Sequence, residues 1–180
     1  PFGKEEMVSD LWDASVKSEL AIHGARYVSL SPKGIVRECF GDTTDMYLLV
    51  GDTLCFRGYT VGRDIGVLTD SAAAIICYPL SAGRSFSSDY TGTGLAFGEV
   101  AMACRGHAAT DAARRGRFVF APGDTVDAFM YRESRTEKSV FVTSDTLIWD
   151  NVQASTVEII RWNVFGTILP LALQRRCDGG

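Results

Sequence analysis

The sequence predicts an all-β protein, a two-sheet antiparallel sandwich preceded by a short N-terminal helix. Beyond Ala25, apolar residues either alternate with polar ones or gather in short runs, the pattern of strands. Clusters of Gly, Pro, Asp and Ser close these runs at intervals of about 10 to 20 residues. Only the stretch from Glu5 to Leu20 repeats apolar groups at helical steps. The chain has 180 residues, 46% of them hydrophobic and 22% charged, which suits one domain burying roughly 70% of its unfolded surface.

The helix is predicted because Val8, Leu11, Trp12, Ser15 or Val16, and Leu20 recur at three- and four-residue spacing. Lys4, Glu6, Asp10, Asp13 and Lys17 fall on the other faces. Residues 1–24 are therefore expected to form an arm or helix, residues 25–173 the β domain, and residues 174–180 a flexible tail. Strands are expected at Arg26 to Leu30, Ile35 to Phe40, Met46 to Val50, Thr53 to Val61, Ala73 to Tyr78, and Leu95 to Arg105. Further ones follow at Arg117 to Ala121, Thr125 to Arg132, Ser139 to Val142 and Thr156 to Leu169. Ser81 to Gly94, rich in Ser and Gly, reads as a long loop, Gly106 to Gly116 as a second, and Glu133 to Lys138 as a charged turn.

The triplet Gly-Asp-Thr stands at Gly41, Gly51 and Gly123, with Ser144-Asp145-Thr146 as a near copy. Glycine tolerates positive φ, aspartate bonds its own backbone two residues on, and the β-branched threonine suits the start of a strand. The triplet is expected to punctuate strands rather than to gather Asp42, Asp52 and Asp124 as a cation site or acid–base pair.

Little else carries chemistry. A formal charge of −4 and no basic terminal arm argue against binding nucleic acid mainly by neutralising phosphates. The five cysteines, widely spaced and without C-x-x-C, read as free thiols in a reducing compartment. Two histidines are too few for a metal centre of the zincin or cupin kind, so neither metal nor cofactor is expected. Cys104 and His107 could pair as nucleophile and base only if the strand ended between them, since alternation otherwise separates them. Arg114, Arg115 and Arg117 form the densest positive cluster and are the candidates for contact with RNA phosphates. No membrane span or signal peptide is expected. Pro1 at the start is compatible with release from a polyprotein.

In the last predicted strand Val157, Ile159, Arg161 and Asn163 alternate with Glu158, Ile160, Trp162 and Val164, and it runs on into a wholly apolar end. Ile168, Leu169, Leu171 and Leu173 would be a hazard in water and are expected to meet another subunit. Removing the chain from Leu171 onward should therefore weaken assembly more than folding.

A helix or arm, about eight strands with long loops, and a long closing strand with a tail together resemble the jelly-roll coat proteins of picornavirus-like RNA viruses. The stretches "DMYLLVGDTLCFRGYTV", "GRFVFAPGDTVDAFMYRE" and "TVEIIRWNVFGTILPL" carry the resemblance over residues 26 to 173. Size, acidic balance and the non-Met start are most similar to the small coat proteins of plant secoviruses, cheravirus-like members above all. The resemblance implies a jelly-roll subunit, not an enzyme, that self-assembles with copies of itself and sister coat proteins into an icosahedral shell around RNA. It would reside in the virion, and in host cytoplasm during assembly. The competing expectation is a lectin-like, carbohydrate-binding sandwich stacking sugar on Phe86 and Tyr90.

Overall fold

The computed structural model describes residues 11–13, 27–121, 124–143, 147, 149 and 152–178. Those residues are all β, with no helix among them. Among the described residues twelve strands form one sheet: β1 Leu11–Asp13, β2 Tyr27–Leu30, β3 Ile35–Phe40, β4 Thr43–Val50, β5 Thr53–Val61, β6 Ile65–Cys77, β7 Phe86–Ala96, β8 Val100–Thr110, β9 Arg114–Ala121, β10 Asp124–Phe141, β11 Ser155–Val164 and β12 Ala172–Asp178. Of the stretch expected to be helical, Leu11–Asp13 is instead a strand, paired in parallel with β9 at Arg117 to Val119. The rest of that stretch lies outside the described residues.

From β2 to β8 each strand pairs antiparallel with its neighbour in the chain. The meander continues through β10, β11 and β12. β8 and β9 follow one another along a single edge of β10, Glu133–Phe141 lying against β8 and Asp124–Met130 against β9. The sheet folds back on itself, so that β3 and β4 face β10, β11 and β12 across the interior. The all-β, antiparallel character is as expected; where two stacked sheets were expected, the described strands join in one sheet that folds back in a sandwich- or barrel-like form.

The triplets are turn chemistry. Gly41-Asp42 and Gly51-Asp52 are two-residue hairpin loops, closed by the pairs Phe40 with Thr43 and Val50 with Thr53. Gly41 and Gly51 take φ of 65° and 62°, the positive φ that primed hairpin turns require at their first central residue. Asp124 opens β10 opposite Ala121, so the third copy also marks a strand entry. Ser144-Asp145-Thr146 lies outside the described residues.

Three expected loops are strands instead. β7 runs through the Ser/Gly-rich stretch because its inward glycines allow close sheet packing: a Cβ on Gly94 would lie 2.1 Å from the Gly66 carbonyl oxygen, and one on Gly92 2.6 Å from that of Leu68. β8 and β9 shorten the second loop to residues 111–113. The charged run Glu133 to Lys138 is the middle of β10, because Glu133 and Arg135 find opposite charges inside the fold and Glu137 finds hydroxyl donors. The end of the chain also differs from expectation, Ala172–Asp178 pairing with β11 from Trp162 back to Thr156.

The main apolar core joins Val36, Tyr47, Leu54, Phe56, Val67, Ile75, Phe129 and Tyr131, with the Tyr47 and Tyr90 rings both edge-on to Phe56. A second cluster packs Phe118, Ala128, Met130 and Trp162, and a third Phe40, Ile159 and Leu173.

Candidate functional site

The two walls of the fold meet over a buried ladder of alternating charge. Strand alternation turns Glu38 inward between Val36 and Phe40, Asp45 between Thr43 and Tyr47, and Glu133, Arg135 and Glu137 inward along β10. From β11 the fully buried Arg161 donates through Nε and Nη2 to the two oxygens of Glu38, at 2.8 and 2.6 Å. Its Nη1 donates to Glu133 at 2.6 Å, and Nη2 also reaches the Tyr47 hydroxyl at 2.6 Å. Arg135 continues the ladder, with Nε 3.2 Å from Glu133 and Nη2 2.8 Å from Asp45 Oδ1. Arg175 of β12 donates through Nε to Asp45 Oδ2 at 3.2 Å. The order Glu38, Arg161, Glu133, Arg135, Asp45, Arg175 therefore ties β3, β4, β10, β11 and β12 together. Planar guanidinium forks suit this because they engage carboxylates on two sides at once.

Burial raises the Glu38 carboxyl above the ordinary glutamate range, against the lowering pull of Arg161. For Arg161 and Arg135 burial works in the lowering direction, but the acids around them, Glu38 and Asp45 foremost, hold both well above the usual arginine value. Glu38 therefore binds its proton more tightly folded than unfolded. That contribution is complete below the ordinary glutamate pKa and is lost as pH rises through the raised value. Stability measured by urea unfolding should decline across that window in the native chain, and the decline should flatten in Glu38→Gln; identical pH profiles would refute this.

Beside the ladder lies a cavity of about 280 Å3, lined among others by Asp45, Phe56, Tyr59, Tyr90, Arg135, Glu137 and Arg175. Tyr59 and Tyr90 donate to opposite oxygens of Glu137 at 2.8 and 3.0 Å, and Ser139 adds a third bond at 2.8 Å. Burial and the neighbouring carboxylate push both phenols far above their ordinary value, so they stay neutral donors. The Arg135 guanidinium lies 3.9 Å over the Phe56 ring.

On the outer surface, His107 donates through Nδ1 to Asp89 Oδ1 at 2.6 Å, and its Nε2 lies 3.1 Å from Ser87 Oγ. The order hydroxyl, imidazole, carboxylate is that of an activated nucleophile. Here, however, the Asp89 side chain is 89% exposed and that of His107 51%, so water competes for both and the pair is a surface contact. The trio is not legible in the sequence because the Ser/Gly-rich stretch holding Ser87 and Asp89 reads as a loop; strand β7 brings them opposite β8.

The expected site residues fall as follows. Cys104 is buried, pushed up to about 12 by burial and by Glu137, and points inward, while His107 lies on the outer face, since β8 continues through both. Arg114 and Arg117 are exposed on strand β9, whereas Arg115 is half-buried over the rings of Phe129 and Phe165. Leu173 is buried with Phe40 and Ile159, Leu169 packs on the main core, and Ile168 is half-buried, its carbonyl accepting from Tyr78 and Asn163. Leu171 is 37% exposed. Phe86 is half-buried against the core, and Tyr90 points inward, so neither offers an open stacking platform for sugar. Among the described residues no group of His, Cys, Asp or Glu is placed to hold a metal ion, and no helix is long and apolar enough to cross a membrane.

Fold and site together define an all-β protein with a charged, hydrogen-bonded interior. No protein-family model, curated protein or solved structure matches this chain.

Proposed function

We propose that this chain is a structural coat subunit that associates with copies of itself and with sister chains to form a shell around RNA. The observation that supports this reading best is a stripe of exposed apolar groups on the outer face of the sheet. Leu68, 57% exposed, lies in register with Thr93; Leu95, 48% exposed, pairs with Ala101; and Val142 extends the row through its bond to the Ala101 carbonyl. Phe97, at positive φ in the β7–β8 turn, is 69% exposed at one end of the stripe. Contiguous apolar surface across several strands marks a place where protein meets protein. Leu171, exposed beyond β11, remains the interface candidate of the closing segment, and Arg114 and Arg117 the candidates for phosphate contact.

The jelly-roll form belongs to this proposal too. Strands β2 to β8 lie in chain order, whereas a Greek key returns its fourth strand beside the first. Support therefore comes from the surface and from the all-β character, not from strand order.

Sizing chromatography and electron microscopy of the purified chain, alone and with RNA, test the reading. Assemblies are expected for the native chain, and Leu68→Ser with Leu95→Ser should shift it to monomer with little change in melting temperature. A native chain that stays monomeric at high concentration, with RNA present and absent, would overturn the assignment.

A further inference from the structure

We infer that the outer face of the sheet carries a binding site for a dianionic phosphate group, free or as the monoester of a small molecule. The inference is independent of the assembly reading and uses none of its residues. Strand β6 pairs with β7 only from Ile65 to Thr69, and beyond Thr69 the two strands part. An open dish of about 510 Å3 lies there, lined among others by Ser71 of β6, Asp89 of β7, Arg105 and His107 of β8, and Thr136 and Lys138 of β10. Its volume is within the ~300–1,000 Å3 of small-molecule sites. Arg105 and Lys138 stand directly opposite one another across β8 and β10. Like charges so placed destabilise a strand pair, and an anion between them removes that cost.

Neither cation has a carboxylate partner among the described residues. Asp89 is the one acid on the wall, and His107 already holds it at 2.6 Å. The Arg105 guanidinium lies 4.5 Å over the ring of Trp149, which orients it. Stacking uses the face of the guanidinium and leaves the N–H donors at its edge for an oxyanion. The hydroxyls of Ser71 and Thr136 add donors on the same wall, neither bonded elsewhere among the described residues, whereas Thr91 gives its proton to Asp70. The class of ligand follows from the charge. A phosphate monoester carries about −1.5 to −2 near neutral pH and matches two adjacent cations, while a diester brings a single charge. Its oxygens accept from an arginine edge, an ammonium and hydroxyls together. A neutral ligand would leave the repulsion between Arg105 and Lys138 in place.

The test is titration of the isotope-labelled full chain at low ionic strength, followed by backbone amide NMR shifts, at about pH 8 where a monoester is doubly ionised. The probes are inorganic phosphate, methyl phosphate and, as the singly charged diester, dimethyl phosphate. Saturable binding of inorganic phosphate or methyl phosphate in the ~mM range is expected, with dimethyl phosphate at least ~10-fold weaker and the shifts centred on Arg105 and Lys138. Tighter binding of methyl phosphate would name an ester as the occupant, and tighter binding of inorganic phosphate the free ion. Lys138→Gln should weaken binding at least ~10-fold while leaving the melting temperature unchanged or higher, since it relieves the repulsion with Arg105. Arg105→Lys, which keeps the charge and loses the fork, should weaken binding less than Arg105→Gln. Absence of saturable binding, equal binding of methyl and dimethyl phosphate, shifts centred on Arg114 and Arg117 instead, or binding unchanged in Lys138→Gln would each overturn the assignment.

Discussion

Arg161→Ala is expected to remove ~3–5 kcal/mol of stability, the cost of leaving buried charge without its partner. The guanidinium has no exposed surface and spans Glu38, Glu133 and Tyr47, so its loss leaves the buried Glu38 without a cation and Glu133 with Arg135 alone. Against a total stability of ~5–15 kcal/mol, that leaves a chain that is marginally folded or unfolded at room temperature. Arg161→Met combined with Glu38→Leu should be milder than Arg161→Ala alone, because it removes a whole ion pair and leaves Glu133 with Arg135. Urea unfolding followed by tryptophan fluorescence measures both. A single substitution costing less than about 1 kcal/mol would place Arg161 in water and contradict the interior ladder.

Removing residues 171–180 is expected to abolish the fold rather than only an interface. The deleted segment carries β12, which pairs with β11 from Thr156 to Trp162. It also carries Leu173, which closes the cluster with Phe40 and Ile159, and Arg175, which bonds Asp45. Emptying a buried leucine site alone costs ~2–5 kcal/mol, before the bared edge of β11 is counted. Loss of the cooperative unfolding transition and of the native circular-dichroism spectrum is the result to look for. A truncated chain that unfolds cooperatively at native denaturant concentrations would mean that β12 is an accessory. The sequence pointed toward the other outcome because an apolar end reads as unsatisfied when its partner, β3, lies over 130 residues earlier in the chain.

The strands that follow ordinary chemistry are legible in the sequence alone. Alternation and the Gly-Asp turns locate β3 and β5 with their ends, because two-residue hairpins fix the register of the residues next to the turn. β7 was hidden because two of its inward positions, Gly92 and Gly94, are glycines required by close backbone approach, which reads in the sequence as a Ser/Gly-rich loop. The middle of β10 was hidden for a different reason. Glu133, Arg135 and Glu137 alternate inward along one strand, and charges in a single strand read as solvated until their partners are known: Arg161 on β11 for Glu133, Asp45 on β4 for Arg135, and the Tyr59 and Tyr90 hydroxyls for Glu137.

A trace of the ladder was nevertheless present in one dimension. Arg161 shares its alternation face with Val157 and Ile159, and Glu38 shares its face with Val36 and Phe40, so each is an ion set in an apolar row. An ion in such a row is a sign of a buried partner. What the sequence does not contain is which ion answers which, since the answering strands are joined only by the folding back of the sheet. The cavity followed the same pattern: Tyr59, Tyr90 and Glu137 come from three strands and meet only inside.

The contact between Glu38 and Arg161 joins the first wall of the fold to the last. A double-mutant cycle of Glu38→Gln and Arg161→Met, read by urea unfolding, measures that contact alone. A coupling of ~1–3 kcal/mol is predicted for groups sharing a buried network. Costs that add to within about 0.5 kcal/mol would mean that the two residues never meet, and that the sheet does not fold back as described.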